Sequence, residues 1–303
     1  MIKLDGVLNI LKPPGMTSHD VVSFLRRQLQ TKKVGHAGTL DPQAAGVLAV
    51  CVGQGTRLIE YLTEHDKEYL CEMVLGISTT TQDAWGELVS QKDAGHITLA
   101  MIEAQLPRFS GTILQTAPAF SAVKVQGVPL YKKARQGQEV TPVVRQVQVH
   151  KIEILSFVPP KLMMRIHCSK GTYVRTICHD LGEALQVGGH MSFLLRTRVG
   201  AFGLEDSLTL EELASLKEKS LLPLEYCVRD LPQVVLSPPD LARIKRGQKV
   251  SLAQAVADLV VKPDMAARDL AVFDEQGKLQ AIAVVIGNKD KTELQPKKVL
   301  NRL

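Results

Sequence analysis

Short apolar segments of strand length follow one another along this chain with few helices between them, and this order limits the folds open to it. Six segments have this character: residues 7–11, 46–52, 68–75, 111–114, 144–157 and 162–168. Parallel neighbours need a long crossover, usually a helix, whereas antiparallel neighbours need only a hairpin. We therefore predict an α+β fold with a mixed, mostly antiparallel central sheet flanked by helices.

Two capping signals mark helix starts. Thr17 with Asp20, and Thr209 with Glu212, have the spacing at which each side chain bonds the other residue's backbone N–H. Further helices are predicted over residues 99–106, 130–136 and 174–185. The sequence contains no G-x-G-x-x-G and no other glycine-rich phosphate loop, which excludes the common nucleotide-cofactor folds.

A proline-rich stretch predicts a domain boundary. Residues 231–240, LPQVVLSPPD, contain three prolines in ten residues, so we divide the chain into domains 1–234 and 235–303. After the boundary, a short basic helix near 238–246 and a hairpin of 270–273 with 279–285 predict a small β-rich unit. RNA binding suits its charge, and a dimerisation or plain C-terminal subdomain is the alternative.

The composition excludes several classes of protein. With 45% hydrophobic and 22% charged residues among 303, the chain is neither disordered nor membrane-like. No apolar run approaches the roughly 18 residues of a spanning helix, so we expect a cytoplasmic protein without a membrane partner. We also expect the protein to be a monomer. The five widely spaced cysteines form no C-x-x-C pair, which argues against a disulfide framework and a zinc site, and we expect no metal.

The distribution of positive charge favours a polyanionic partner. The net charge of +6 is moderate, but the basic residues gather in clusters at both ends of the chain, as binding along a phosphate backbone requires. Solvated helix faces produce the same pattern. The candidates for RNA-backbone contacts are Lys32, Lys33, Arg196, Arg243, Lys245, Arg246, Lys297 and Lys298.

A single carboxylate stands in a glycine-rich segment. Residues 35–48, GHAGTLDPQAAGVL, contain three glycines and one proline, and Asp41 is their only acid. Glycines permit positive φ and close approach of a ligand, so Asp41 is a candidate for chemistry by one carboxylate. The simpler interpretation is a structural turn in which Asp41 caps a helix that begins at Pro42.

Together with KPPGMTS at 12–18, KEYLCEMVLGISTTTQDAWGE at 67–87, KGTYVRTICHDLGEAL at 170–185 and GGHMSFLLRTRVG at 188–200, this segment resembles the tRNA pseudouridine-55 synthase family of the TruB type. The resemblance covers nearly the whole chain in the family's order and ends in a stretch similar to a PUA RNA-binding module. It implies the pseudouridine synthase fold and an isomerase that converts uridine 55 in the T arm of tRNA to pseudouridine, with no metal or organic cofactor.

The resemblance also implies roles for individual residues. Asp41 is the catalytic carboxylate, Arg175 pairs with it, and His36 helps to extrude the target base. The other substrate-binding residues implied are Tyr69, Tyr173, Leu194 and Lys12. Attack at C6 of the base and trapping of the C1′ cation both stay open, as does the identity of the base that removes the C5 proton.

Two other classes of function stay open from the residues alone. One is a non-catalytic RNA-binding or tRNA-folding protein, a role that can also accompany catalysis. The other is a metal-dependent hydrolase that uses Asp41 with Asp83 or Asp180, although no paired acid lies near Asp41 in the sequence.

Overall fold

The computed structural model describes residues 4–121, 123–138, 141–251, 269–288 and 291–300. The α-helices of this part of the chain are α1 Ser18–Gln28, α2 Ile59–Glu64, α3 Leu99–Gln105, α4 Leu130–Arg135, α5 Val174–Ala184, α6 Leu210–Leu216 and α7 Pro238–Lys245. None of the described helices is long and apolar enough to cross a membrane.

The strands are β1 Gly6–Lys12, β2 Val34–His36, β3 Ala45–Val52, β4 Lys67–Leu75, β5 Ile77–Thr79, β6 Leu88–Gln91, β7 Gly111–Thr116, β8 Lys124–Val125, β9 Val128–Pro129, β10 Val144–Val158, β11 Lys161–Cys168, β12 Gly189–Val199, β13 Phe202–Gly203, β14 Gln233–Val235, β15 Val250–Ser251, β16 Asp269–Phe273, β17 Leu279–Asn288 and β18 Lys291–Val299.

A nine-stranded sheet organises the larger part of the molecule. Seven strands follow the order β1-β3-β12-β4-β11-β10-β7, while β2 pairs with β3 and β13 pairs with β12. Among these pairs β3 with β12 is parallel, and the others are antiparallel. The predicted α+β fold with a mixed, mostly antiparallel sheet is confirmed, and all six strands predicted from the sequence are present.

The central strand β12 was not predicted from the apolar pattern. It lies between β3 and β4, and two register shifts interrupt its pairing with β4, between Met191 and Phe193 and between Arg196 and Arg198. A bulge adds one residue to a strand and breaks the period of two that identifies a strand in a sequence. Buried polar side chains at His190 and Arg196 obscure the pattern further.

The capping predictions are confirmed in full. At α1, the Thr17 side chain accepts from the Asp20 N–H while the Asp20 carboxylate accepts from the Thr17 N–H, and α6 repeats this arrangement with Thr209 and Glu212. Behind its cap, α1 buries an apolar face against β1 and β3. On the other half of the sheet, α5 covers β4, β11 and β12 over the main apolar core.

A second, five-stranded sheet forms the C-terminal unit, with the order β14-β16-β17-β18-β15. The predicted hairpin is present as β16 and β17. The sheet begins at Gln233, because β14 pairs in parallel with β16. Residues 252–268 and 301–303 of the predicted C-terminal domain lie outside the described residues.

The C-terminal unit shares an apolar core with the first sheet. Phe273 and Ile282 of the C-terminal sheet pack in one cluster with Val7, Ala49 and Cys51 of β1 and β3. One cluster buries apolar side chains from both sheets. Separating the sheets would therefore expose these side chains to water.

Polar contacts at the same junction engage two lysines predicted to contact RNA. Lys298 Nζ lies 2.6 Å from Glu60 Oε1, and Lys297 Nζ lies 2.7 Å from Asp269 Oδ2. The Tyr61 hydroxyl donates to the same Asp269 carboxylate at 2.7 Å. Both ammonium groups are therefore paired with carboxylates between α2 and the C-terminal sheet, and their contact with the RNA backbone stays a prediction.

Replacing Phe273 by alanine tests the shared core. Phe273 is buried in the common cluster, so Phe273→Ala should lower the free energy of unfolding by about 3–5 kcal/mol in a urea titration followed by circular dichroism. The control Val235→Ala, at an exposed position of β14, should change it by less than about 0.5 kcal/mol. A separate early transition confined to the C-terminal unit would show that the two cores are independent.

Candidate active site

The segment that carries Asp41 is a loop between β2 and β3. Glycines permit its path: Gly38 has φ +121° and Gly46 has φ +115°. A Cβ atom at Gly46 would lie 2.2 Å from the carbonyl oxygen of Arg196, so only glycine lets β12 pass this close. The alternative interpretation of Asp41 as a helix cap is wrong, because the residues after it form a turn and then β3.

Lys12, at the end of β1, holds the loop from one side. Its buried ammonium donates to the carbonyl oxygens of Pro13 at 2.8 Å, Met16 at 2.6 Å and Pro42 at 3.0 Å. These bonds use all three of its protons. Burial lowers the pKa of Lys12 to about 8. Lys12 was predicted to bind substrate; its ammonium stabilises the backbone of the loop, and a contact with substrate stays a prediction.

Arg196, on β12, holds the loop from the other side. Its Nε donates to the Val47 carbonyl at 2.7 Å, and its Nη2 donates to the Gly38 carbonyl at 3.3 Å. Nη1 donates to the Thr39 carbonyl at 3.5 Å. Only 1% of Arg196 is exposed, and its guanidinium binds loop carbonyls while lining the cavity beside Asp41, so its contact with the RNA backbone stays a prediction.

Arg175 holds the Asp41 carboxylate itself. Its Nε lies 2.8 Å from Asp41 Oδ2, and its Nη2 donates to Asp41 Oδ1 at 3.2 Å. Further donation to the Thr81 carbonyl at 3.0 Å and the Phe120 carbonyl at 3.2 Å fixes the plane of the guanidinium. One hydrogen bond from Nη2 and a close charge contact at Nε, which makes no hydrogen bond of its own, hold the carboxylate against the planar guanidinium, an arrangement that a lysine cannot reproduce.

Asp83 is a second carboxylate near Asp41, which the sequence analysis paired with Asp41 only in the alternative of a metal-dependent hydrolase. Its Oδ2 lies 3.6 Å from Arg175 Nη1, so the guanidinium is in contact with both acids. The guanidinium offsets one of the two negative charges. Among the described residues, Asp41 and Asp83 belong to no group of three side chains placed to hold a metal ion, which argues against the metal-dependent hydrolase that uses Asp41 with Asp83. A signal was present in the sequence, since Asp83 falls within the TTTQDAWGE segment.

The charge state of Asp41 reflects two opposing effects. Burial raises the pKa of Asp41 above its ordinary value of 3.8, and nearby Asp83 raises it further, while the positive charge and hydrogen bond of Arg175 oppose the increase. The side chain keeps 35% of its surface exposed, so the carboxylate faces an open cavity.

That cavity has a volume of about 240 Å³ and brings most of the predicted site residues together. Asp41 and Arg175 line it with Tyr69 from β4, Leu194 from β12 and Tyr173 from the start of α5. Tyr69 is buried, and desolvation raises the pKa of its hydroxyl, so the phenol is neutral. The cavity therefore combines apolar wall surface and two aromatic rings with one carboxylate.

Gln115 positions the start of α5 and was missed by the sequence prediction. This buried side chain on β7 donates through Nε2 to the Tyr173 carbonyl at 2.9 Å and accepts from the Tyr173 N–H at 2.7 Å. Arg145 lies over the Tyr173 ring at 5.5 Å from its centroid. Both contacts hold Tyr173 and, two residues later, Arg175 in place.

His36 lies at the end of β2, beside the loop and outside the residues that line the cavity. Burial lowers the pKa of its ring, and the nearby Arg196 adds to the effect, so the imidazole is neutral at neutral pH. Its Nδ1 is buried and has no hydrogen-bond partner in the described part of the chain.

The remaining basic residues predicted to contact RNA differ in their exposure. Lys32, Lys33, Arg243 and Arg246 are exposed, and Lys245 is partly exposed. The Arg243 guanidinium lies 3.9 Å from Asp240 one helical turn away, a surface pair of little energetic consequence. These five side chains are accessible to a phosphate backbone.

Family models match most of the chain. The model of the TruB family pseudouridylate synthase N-terminal domain matches residues 26–174, and that of the tRNA pseudouridylate synthase B C-terminal domain matches residues 175–232. This chain belongs to the TruB family of pseudouridylate synthases. It is therefore an isomerase.

Curated relatives named tRNA pseudouridine synthase B match most of the chain. The relative from Symbiobacterium thermophilum is 52% identical over 248 residues, which cover 81% of this chain and 83% of the relative. The relative from Heliobacterium modesticaldum is 42% identical over 307 residues, which cover 100% of this chain and 97% of the relative.

Solved structures show the same fold. A Cbf5-Nop10-Gar1 complex contains a chain with a TM-score of 0.77 at 28% identity, covering 99% of this chain and 86% of that one. An H/ACA ribonucleoprotein bound to a substrate RNA containing 2′-deoxyuridine gives a TM-score of 0.76 at 27% identity, with coverage of 99% and 86%. The pseudouridine synthase fold expected from the sequence is confirmed.

Removing the Arg175 charge should raise the pKa of Asp41. Arg175 opposes the effect of burial, so Arg175→Gln should move the midpoint of the Asp41 titration to higher pH than in the unaltered protein. The measurement is a ¹³C NMR titration of aspartate carboxyl groups, with Asp41→Asn to assign the resonance. Arg198→Gln, which removes an exposed arginine paired with Glu205, should leave the midpoint unchanged. Equal midpoints in all three proteins would refute the electrostatic role.

Proposed function

We propose that this enzyme converts uridine 55 in the T arm of tRNA to pseudouridine, with Asp41 as the catalytic carboxylate. The observation that carries the proposal is the Arg175–Asp41 ion pair, with its hydrogen bond from Nη2, beside a cavity lined by Tyr69, Tyr173 and Leu194. The substrate class follows from the relatives named tRNA pseudouridine synthase B, and the position within the tRNA follows from the resemblance of the motifs.

The reaction breaks the C1′–N1 bond of uridine, rotates the uracil and joins C5 to C1′. A proton leaves C5, and N1 gains one, so the product is an isomer of the substrate. One carboxylate can act covalently in such a reaction, by addition to C6 of the base or by trapping C1′ as the glycosidic bond breaks. Both routes need Asp41 ionised and correctly aimed, which the Arg175 fork provides.

The walls of the cavity suit a uracil ring removed from its stack. An extruded base needs aromatic and apolar surfaces to replace its lost neighbours. Tyr69 and Tyr173 offer rings, and Leu194 offers an aliphatic wall. The neutral Tyr69 hydroxyl is also able to relay the C5 proton, which supports its assignment to substrate binding.

No cofactor is needed for this chemistry, because the reaction is an isomerisation without change of oxidation state. The protein must instead open the RNA. His36 stands beside the Asp41 loop as a neutral ring that can occupy the space of an extruded base. The exposed basic residues Lys32 and Lys33, and those of α7, provide phosphate contacts. Opening and re-forming the T arm is the basis for an accompanying tRNA-folding role.

Incubation with an unmodified tRNA transcript tests the proposal directly. The purified protein should form pseudouridine at position 55 and leave other uridines unchanged, scored position by position after chemical labelling and primer extension. A transcript with cytidine at position 55 is the matched control and should give no product. Pseudouridine at another position would refute the assigned target, and no pseudouridine in any tRNA would refute the substrate class.

Asp41→Asn tests the catalytic assignment. The change removes the nucleophilic anion with almost no change in volume, so turnover should disappear while the Kd for tRNA stays within about tenfold, or about 1.4 kcal/mol. Asp206→Asn, at an exposed carboxylate outside the cavity, should retain full turnover. Rates come from single-turnover assays and affinities from filter binding. Retained turnover in Asp41→Asn would remove Asp41 from the mechanism.

A further inference from the structure

The only tryptophan of the chain is exposed beside Asp41. Trp85 presents 56% of its surface to solvent, which is unusual for the largest apolar side chain. It follows β5 in the loop that carries Asp83. The protein alone leaves this ring in water. A ligand that covers Trp85 at the cavity therefore gains the free energy of burying the indole.

The loop that carries Trp85 is held from two sides. On the β12 side, the Ala84 N–H donates to the Met191 carbonyl at 3.0 Å, and the Met191 N–H donates to the Gln82 carbonyl at 3.0 Å. On its own side, the Asp83 carboxylate accepts from the Trp85 N–H at 3.1 Å. These bonds fix the backbone at Trp85, so its exposure does not result from a loose loop.

The fixed loop is also joined to the active site. Arg175, which holds Asp41, donates to the Thr81 carbonyl at 3.0 Å and lies 3.6 Å from Asp83. The position of Trp85 relative to Asp41 is therefore set by the same guanidinium. A binding surface built on such fixed elements loses little conformational entropy when it is occupied.

Trp85 lines a second cavity that adjoins the first. This cavity has a volume of about 250 Å³, and its walls include Pro42, Thr81 and Met191. Asp41 and Leu194 line both cavities. The second cavity therefore lies directly beside the position of a base held against Asp41 in the first.

We propose that Trp85 and this second cavity form a stacking subsite for a nucleobase adjacent to the target uridine. The proposal rests on the proposed function, because it needs a uridine bound at Asp41. Stacking on an aromatic face accepts every base, so the subsite adds affinity and positions the strand without reading its sequence. The indole takes the place of the stacking partner that the neighbouring base loses when the strand is opened.

The intrinsic fluorescence of Trp85 gives a direct readout, since no other tryptophan contributes. In full-length Asp41→Asn protein, which we expect to bind substrate without turnover, a T-arm RNA hairpin should quench the emission in a saturable manner. Unchanged emission at RNA concentrations that saturate binding by filter assay would overturn the proposal.

Substitution tests whether the contact contributes affinity. In the Asp41→Asn background, Trp85→Ala should weaken binding of labelled hairpin about 5- to 150-fold, the range for loss of one base–aromatic stack. Trp85→Phe keeps an aromatic face and should restore most of the affinity. The control Tyr226→Ala removes a partly exposed ring outside both cavities and should not change the affinity. Equal affinities of Trp85→Ala and the parent protein would overturn the proposal.

An abasic RNA separates stacking from a general structural role. Removing the base on one side of the target uridine should weaken binding to the parent protein and have little further effect in Trp85→Ala, since both changes delete the same contact. Full additivity at both neighbouring positions would overturn the proposal. Failure of the unaltered enzyme to form pseudouridine is a separate result, and it would refute the proposed function without changing these binding measurements.

Discussion

Three buried cations fix the loop that presents Asp41, and the geometry of the site depends on them. Lys12 from β1 and Arg196 from β12 bind loop carbonyls, and Arg175 from α5 binds the carboxylate. Removing these charges from water is costly, and hydrogen bonds to carbonyls, together with the ion pair between Arg175 and Asp41, offset that cost. Since each cation comes from a different element, the loop is correctly placed only when the whole sheet and α5 are assembled.

This use of positive charge divides the basic residues into two groups. The buried or paired cations, Lys12, Arg175, Arg196 and Lys298, stabilise the protein's own backbone and junctions. The exposed ones, on the turn before β2 and on α7, are left for an anionic partner. Charge count alone therefore overstates the number of basic side chains free to bind an anionic partner, and buried cations shape the cavity beside Asp41.

The shared core between the two sheets has a functional consequence. A C-terminal unit tethered by a flexible linker would hold RNA at variable distances from Asp41. Here apolar packing of Phe273 and Ile282 on β1 and β3, with the Tyr61–Asp269 hydrogen bond beside it, joins the two units. Because β1 and β3 also flank the Asp41 loop, an RNA contact made by α7 has a defined position relative to the cavity. The preorganisation lowers the entropic cost of binding a large, rigid substrate.

The sequence by itself determined the local elements and the identity of the catalytic candidate. Alternating apolar residues predicted β4, reciprocal capping residues predicted α1 and α6, and the order of the motifs identified the family. These features are readable because each depends on residues close together in the chain. The strand β12 was missed because its two bulges break the period of two, and bulges arise from pairing with a partner distant in the sequence.

Only the tertiary structure decided what each cation contacts. Lys12, Arg196, Lys297 and Lys298 were predicted to contact substrate or RNA, but a guanidinium or ammonium binds a phosphate, a carbonyl or a carboxylate by the same hydrogen bonds. The folded chain brought carbonyls of residues 38–47 to Arg196, and it brought Glu60 to Lys298. It likewise brought Asp83 beside Arg175, 92 residues away in sequence. The physical reason is that side-chain chemistry fixes what a residue can bind, whereas long-range packing fixes which partner lies within reach.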